Sequence, residues 1–448
     1  MKSLKQLLFT TMMVTLLFVT ACSSGSGQTG KQPDNGNDNA STASTNEQST
    51  NKDKNKDKVQ LRIMWWGSDT RHEATLKVIE LFQQKYPHIT FSEEYLGSDG
   101  YWDKLNILVA GGNAPDIFQL GNNYPDYVSK NALLDLSPYI GNLIKVDHID
   151  ESIIASGKID DQFYGINLGS NALGVIYNKA LIEQSGLNPP SKDWTWEQLE
   201  KYLQQLNQAL PNVLPMTDVS NNQHFINHFI RQKSHAIYKD GAINFTKEDV
   251  IEWFQMWENF RGKGLISDAQ TAATYTETGP DKSLLIEGKA VMTVAFSNQL
   301  KAYQDLLQDE LEMTLLPFGG ETTGIWLQPS QFMSVNKNTK HPEEAALFLD
   351  FIINDPEATL ILGTERGIPG SAQVRDALKE NASKVDLKVF NFIDEAIANS
   401  REMDRELPNG SEWASVLLNA VQKIAFKTTS IENAAQEVVN AAEQALKK

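Results

Sequence analysis

A single cysteine, Cys22, in 448 residues excludes an internal disulfide and a cysteine-held metal cluster. Basic residues are scarce as well: 40 Lys and Arg stand against 57 Asp and Glu, a net charge of -17. A body this acidic is a poor match for nucleic acid or an anionic bilayer surface. Beyond residue 21 no apolar run is long enough to cross a membrane, and there is no internal repeat. Assembled catalytic signatures are missing too. His72-Glu73 begins like the zinc motif H-E-x-x-H, but Leu76 stands where the second histidine belongs. His224 and His228 have the spacing of a metal pair, yet Phe225 replaces the glutamate that should follow the first. No G-x-S-x-G turn occurs, and Gly288-Lys289-Ala290 lacks the earlier glycine and the hydroxyl of a phosphate loop. Only a glycosidase carboxylate pair escapes this test, because its separation is invisible in sequence. The reading therefore assigns no catalytic residue, no metal and no cofactor.

What is present begins at the N-terminus. Lys2 and Lys5 precede an apolar run from Leu7 to Val19, closed by Val19-Thr20-Ala21-Cys22. That is a lipobox, so residues 1–21 read as a lipoprotein signal peptide and Cys22 as the lipidation site. Acyl chains contribute about 0.8 kcal/mol per buried methylene, and a diacylglycerol therefore holds where one chain does not. Residues 22–58 are Ser, Gly, Asn, Thr, Asp, Lys and Gln with almost nothing apolar, a tether that cannot bury enough surface to order itself. Five lysines there balance five acids and the signal adds two lysines, so the remaining body carries -19.

Leu61 to Trp66 is a short apolar strand that stops at Gly67-Ser68. Thr70 with Glu73 reads as a capping box, and Leu76, Ile79, Phe82 and Tyr86 follow at helical spacing up to Pro87. Ile89 to Tyr95 is the next strand. This strand, helix, strand unit with a tight first turn implies an α/β fold with helices on a parallel sheet. The alternation recurs through a helix near Tyr101 to Ala110, strands at Ala114–Leu120, Tyr164–Asn167, Ala172–Tyr177, Ala290–Ala295 and Phe332–Val335, a capped helix at Thr195/Gln198, and a helical stretch from Glu412 to Leu446. Ligands in such folds sit where strands end, here the loops after Trp66, Leu120 and Asn167.

The order and spacing of Leu61-Arg62-Ile63-Met64-Trp65-Trp66, Gly111-Gly112-Asn113-Ala114-Pro115-Asp116-Ile117, Tyr164-Gly165-Ile166, Val175-Ile176-Tyr177-Asn178-Lys179, Thr195-Trp196-Glu197, Glu287-Gly288-Lys289-Ala290-Val291-Met292 and Arg366-Gly367-Ile368-Pro369 resemble the family 1 extracellular solute-binding proteins, receptors of ABC sugar importers. A closer likeness, to Gram-positive binders of rhamnogalacturonan fragments, rests on Trp65-Trp66-Gly67, Arg71-His72, Tyr101-Trp102-Asp103-Lys104-Leu105 and Gly157-Lys158-Ile159-Asp160. The resemblance implies a periplasmic-binding-protein-like fold: an N-terminal lobe of residues 59–170 with 325–366 and a C-terminal lobe of residues 171–324 with 367–448. The lobes would join through three crossings near Gly169-Ser170, Gly320 to Gly324 and Arg366-Gly367. It further implies an oligosaccharide ligand, pectic in the closer likeness, ABC permease subunits as partners, and a monomer. With the lipobox, it places the protein on the outer face of a Gram-positive cell membrane.

Sugar recognition needs flat apolar faces for pyranose rings and planar polar groups for hydroxyls. Trp66 ends its strand and offers such a face, while Trp65 points to the opposite side, into the core. Ser68, Arg71 and His72 sit at the following helix N-terminus. Gln119, Asn122 and Tyr124 occupy the loop after the third strand, and Asp116 reads as a turn residue capping amides. Asn171 matches a family position where the maltose receptor carries a sugar-binding carboxylate. In the second lobe Phe225, His228 and Arg231 share one helical face, which reads either as a ring, an imidazole and a guanidinium offered to a ligand or as an amphipathic helix with Phe225 buried, and Phe296 to Asn298 match a segment that supplies a stacking ring in relatives. Trp326 with Gln328, and Arg366, lie at crossings. Eight arginines exist in the chain, so Arg71, Arg231 and Arg366 at one cleft would favour a uronate carboxylate.

Overall fold

The computed structural model describes residues 57–239, 241–275, 279–319, 322–404 and 410–446. Cys22, the signal and the tether up to residue 56 lie outside them, as does Gly320 of the expected second crossing. In chain order the strands are β1 Val59–Trp66, β2 Ile89–Leu96, β3 Ile117–Leu120, β4 Lys158–Ile159, β5 Gln162–Phe163, β6 Ile166–Asn171, β7 Leu173–Asn178, β8 Leu214–Met216, β9 Tyr238–Lys239, β10 Ala242–Ile243, β11 Ala290–Phe296, β12 Leu311–Thr314 and β13 Gln328–Val335. Two main sheets result, ordered β2-β1-β3-β13-β6 and β12-β7-β11-β8, with two small ribbons, β4-β5 and β9-β10. Every described strand and helix lies between Val59 and Ala445.

The helix Asp69–Lys85 returns the chain so that β2 lies parallel to β1, paired from Val59↔Ile89 to Trp66↔Leu96. Its cap differs from the expected one. The Gly67-Ser68 turn is short enough for Ser68 to take the N-cap position, which puts Thr70 already inside the helix, and the Ser68 side chain makes no capping bond. The Thr195 box forms as expected on the helix Trp196–Ala209, with Gln198 N donating to Thr195 Oγ1 at 3.3 Å and Thr195 N to Gln198 Oε1 at 2.7 Å. The C-terminal stretch is two helices, Gly410–Ala425 and Ile431–Ala445, separated by a turn in which Lys427 has φ 56°.

Both sheets are covered on both faces, as strand alternation requires. Leu61, Ile63 and Trp65 pack with Val78 and Phe82 of the first helix and with Phe348 and Leu349 of the helix Pro342–Asn354. On the other face Met64 meets Tyr101, Leu105, Phe118 and Leu120. In the second sheet Val175 and Tyr177 share a core with Phe225, Trp253 and Trp257, while Ile176 turns toward Phe390, Phe392 and Ile393. Each large apolar side chain so buried contributes about 1.5–3 kcal/mol.

Three passages lie side by side, two of them joining strands of the two main sheets and the third joining helices. Ala172 alone separates β6 from β7; residues 315–327 lead from β12 to β13; and Arg366-Gly367-Ile368 leads from the helix Pro356–Leu362 toward Ala372–Lys379. The three passages are laced together. Asn171 pairs with Gln328 and Gly169 with Gln331, the register slipping on both sides of Gln331. Ser170 and Ile368 exchange two backbone bonds, at 2.8 and 3.0 Å. Glycine is required at two points: a Cβ on Gly169 would stand 2.4 Å from the Arg366 carbonyl, and Gly367 has φ 92° with Ser330 Oγ only 2.3 Å from an added Cβ.

Candidate functional site

On the first sheet an aromatic group gathers at the C-terminal end of β1. Trp66 is half-buried, with its ring 4.8 Å from Trp102 and 5.0 Å from Tyr101. Trp102 is half-buried too, and both rings come from positions next to fully buried neighbours, Trp65 and Tyr101. The Tyr101 hydroxyl donates to the Gln119 carbonyl at 2.6 Å, and burial raises its pKa well above the ordinary phenol value. Trp66 and Trp102 therefore present an aromatic corner on a rigid base. The sequence reading does not single out Trp102 as a candidate; its signal is the Tyr-Trp pair one residue out of step with the buried face of its helix, Ser98–Ala110.

Behind the corner lies a polar hub. The Trp66 carbonyl accepts from Arg71 Nη1 and Gln119 Nε2, each at 3.4 Å. Arg71 Nη2 also donates to the Glu365 carbonyl at 2.8 Å, and its burial lowers its pKa against the opposing pull of the Glu365 carboxylate. Arg366, 2% exposed, donates to the side-chain oxygens of Gln119 and, at 2.9 and 2.8 Å, of Gln331 and Thr75. All three partners are neutral. Burial, with Arg71 nearby, brings the Arg366 pKa down to about 9.

On the second sheet Phe296, at the end of β11, lies 5.0 Å from the His224 ring, which lies 6.2 Å from Trp326. His224 is in the first turn of the helix Gln223–Ser234, whose N-cap Asn222 accepts from two amides. Burial lowers its pKa to about 4, so the ring is neutral at ordinary pH. Trp326 Nε1 donates to Gln328 Oε1 at 3.0 Å, and Gln328 faces Asn171 across the ladder. Asn171 Nδ2 donates to Ser330 Oγ at 2.8 Å, and its Oδ1 accepts from Ser297 Oγ at 3.5 Å. The amide thus serves the junction of the passages.

Several expected site residues are placed elsewhere. His228 is fully buried; its Nε2 donates to the Pro317 carbonyl at 2.7 Å, and burial lowers its pKa to about 4. Arg231 is buried beside it and pairs with Asp404 at 2.7 Å. The shared face of Phe225, His228 and Arg231 is the inward face of the helix, because the second sheet's core lies under it. His72 packs on Tyr95 at 4.5 Å and on Trp65 at 6.2 Å, on the opposite side of β1 from Trp66. Tyr124 is buried, its hydroxyl bonded to the carbonyls of Ser156 at 2.9 Å and Lys158 at 3.0 Å. Ser68 and Asn298 are exposed, and Asn122 is half-buried in the loop after β3. Asp116 caps as expected, accepting from Arg62 N at 2.8 Å and Thr339 Oγ1 at 2.7 Å.

A family model described as bacterial extracellular solute-binding protein matches residues 77–388. The chain belongs to this family. A family 1 extracellular solute-binding protein of Alicyclobacillus acidocaldarius is 27% identical to it, with a TM-score of 0.78 over 88% of this chain and 100% of the other. The diacetylchitobiose-binding protein of Streptomyces coelicolor is 24% identical over 331 residues, 71% of this chain and 72% of that one. A periplasmic oligogalacturonide-binding protein of Yersinia enterocolitica, 23% identical, shares the fold at a TM-score of 0.76 over 87% and 99% of the two chains. No helix described in this solute-binding protein is long and apolar enough to cross a membrane.

Proposed function

We propose that this solute-binding protein captures an oligosaccharide between its two sheets and delivers it to the membrane subunits of an ABC importer. The reading is carried by the two aromatic groups, Trp66 with Trp102 at the end of β1 and Phe296 with His224 and Trp326 at the end of β11, strands of separate sheets. Rings of this kind take the C–H faces of sugars, and neutral amides such as Gln328 serve hydroxyls. Sugar-binding relatives such as the diacetylchitobiose-binding protein support the same class of ligand. In this reading the sheets belong to lobes that close about the passages, and a lipid on Cys22 tethers the protein to the outer face of the membrane.

A uronate-bearing pectic fragment is a second reading, favoured by one observation. Arg71 and Arg366 lie together behind Trp66, and of the two Arg71 is partly exposed, with the Glu365 carboxylate 4.0 Å from its Nε. Arg231, paired with Asp404, is withdrawn from that role.

The test is thermal unfolding of the chain from Val59 against neutral α- and β-linked oligosaccharides, arabinan and galactan fragments, and saturated and unsaturated pectic disaccharides. A ligand at about a hundred times its dissociation constant adds roughly 2.7 kcal/mol, a readable shift. Shifts confined to pectic sugars select the uronate reading, shifts with neutral sugars alone select stacking, and silence across the panel defeats both.

A further inference from the structure

The segment between the helix Lys384–Ala398 and residue 405 does more than connect. Arg401 N donates to the Ile325 carbonyl at 2.9 Å, fastening the segment to the second passage beside Trp326. Arg231, reaching across from its helix, donates Nη2 to the Glu402 carbonyl at 2.7 Å and Nε to the Gly324 carbonyl at 3.1 Å, and pairs with Asp404 through Nη1 at 2.7 Å. Asp404 Oδ2 also accepts from Ile237 N at 2.8 Å. The same guanidinium lies 5.5 Å from the centre of the Trp326 ring. Two chain segments, at Gly324 and at Glu402 to Asp404, and the Trp326 ring thus meet on one planar cation, whose fork geometry tolerates little rotation.

We infer that residues 401–404 form a strap which, through the Arg231–Asp404 pair, holds the Trp326 ring in the orientation that receives a ligand, making Arg231 and Asp404 positioning residues. The ligand part rests on the reading of Trp326 as a stacking ring. The strap accounts for a buried arginine that is bonded to Gly324, Glu402 and Asp404 and also adjoins the Trp326 ring. A lysine would keep the charge but not bond the Gly324 and Glu402 carbonyls and Asp404 together.

Fluorine NMR of the 5-fluorotryptophan-labelled chain from Val59, with Trp326 assigned by its loss in Trp326→Phe, tests the strap without any ligand. Asp404→Asn and Arg231→Lys are each expected to broaden the Trp326 line about twofold or split it, as for a ring sampling two rotamers. The lines of Trp65 and Trp253, buried in the two cores, should not change. Glu402→Ala should leave Trp326 as it is, since Glu402 bonds Arg231 through its carbonyl. An unaltered Trp326 line in both variants overturns the proposal, as does equal broadening of every tryptophan line. If Asp404→Asn fails to fold, Arg231→Lys decides on the same criteria. A Trp326→Ala protein that binds every panel sugar as the parent does would instead defeat the stacking reading, so the two failures are distinguishable.

Discussion

Arg366 carries its charge into a pocket of neutral oxygens, and that makes it a test of what the hub does. Truncation in Arg366→Met would leave Gln119, Gln331 and Thr75 short of a donor in a buried site. Unfolding in urea is expected to show a loss of about 2 kcal/mol, whichever sugar is present. If stability were unchanged and only affinity fell, Arg366 would be a ligand contact rather than a support. Trp66→Ala and Trp102→Ala should do the reverse, weakening sugar binding about tenfold or more with smaller effects on stability. Both tryptophans of the Trp65-Trp66 pair were readable from strand alternation. The arginines were not, because composition counts a guanidinium without saying whether it faces a ligand or the interior.

The histidines give a pH dependence. Burial lowers the pKa values of His224 and His228 from 6.5 to about 4, and that of His72 in the same direction. The unfolded chain takes up protons as pH falls below 6.5 while the folded one does not, so stability present above 6.5 is lost toward pH 4. The limiting slope is about 1.4 kcal/mol per pH unit for each histidine. Urea unfolding between pH 6.5 and 5 should therefore show a steeper decline in the parent than in His224→Gln combined with His228→Gln.

At the scale of elements, caps and close approaches carry the testable content. Thr195→Ala removes one side of a complete capping box and should cost about 1 kcal/mol in urea unfolding. Gly169→Ala sets a methyl group 2.4 Å from the Arg366 carbonyl, backbone against backbone, where neither can turn away. A loss of about 2 kcal/mol or more is expected by the same assay. The helix Asp69–Lys85 and its parallel strands were legible from periodicity, and the Thr195 box from its spacing. The cap at Ser68 and the break at Lys427 were not. Each depends on how tightly a turn closes, which flanking residues state only loosely.

At the scale of the molecule, closure and tethering are the predictions. Small-angle scattering should record a smaller radius of gyration when the panel sugar that stabilises the chain is added at saturation, and an unchanged radius would argue for a rigid cleft. Cys22→Ser should move the protein from the membrane fraction to the medium if the cysteine carries the anchor.

By itself the sequence determined the α/β alternation, the lipobox expectation, the acidic body and the family likeness, because each is a local pattern or a sum over residues. Tertiary structure decided which polar residues are bonded into the frame and which lie beside the aromatic groups. Arg231, His228 and Tyr124 read as contacts but are bonded inward, whereas Trp102 and His224 join the aromatic groups at the ends of β1 and β11. The reason is geometric: a helical face is defined by spacing, but whether it faces core or cleft is set by the sheet packed beneath it, and that sheet is assembled from strands more than a hundred residues apart.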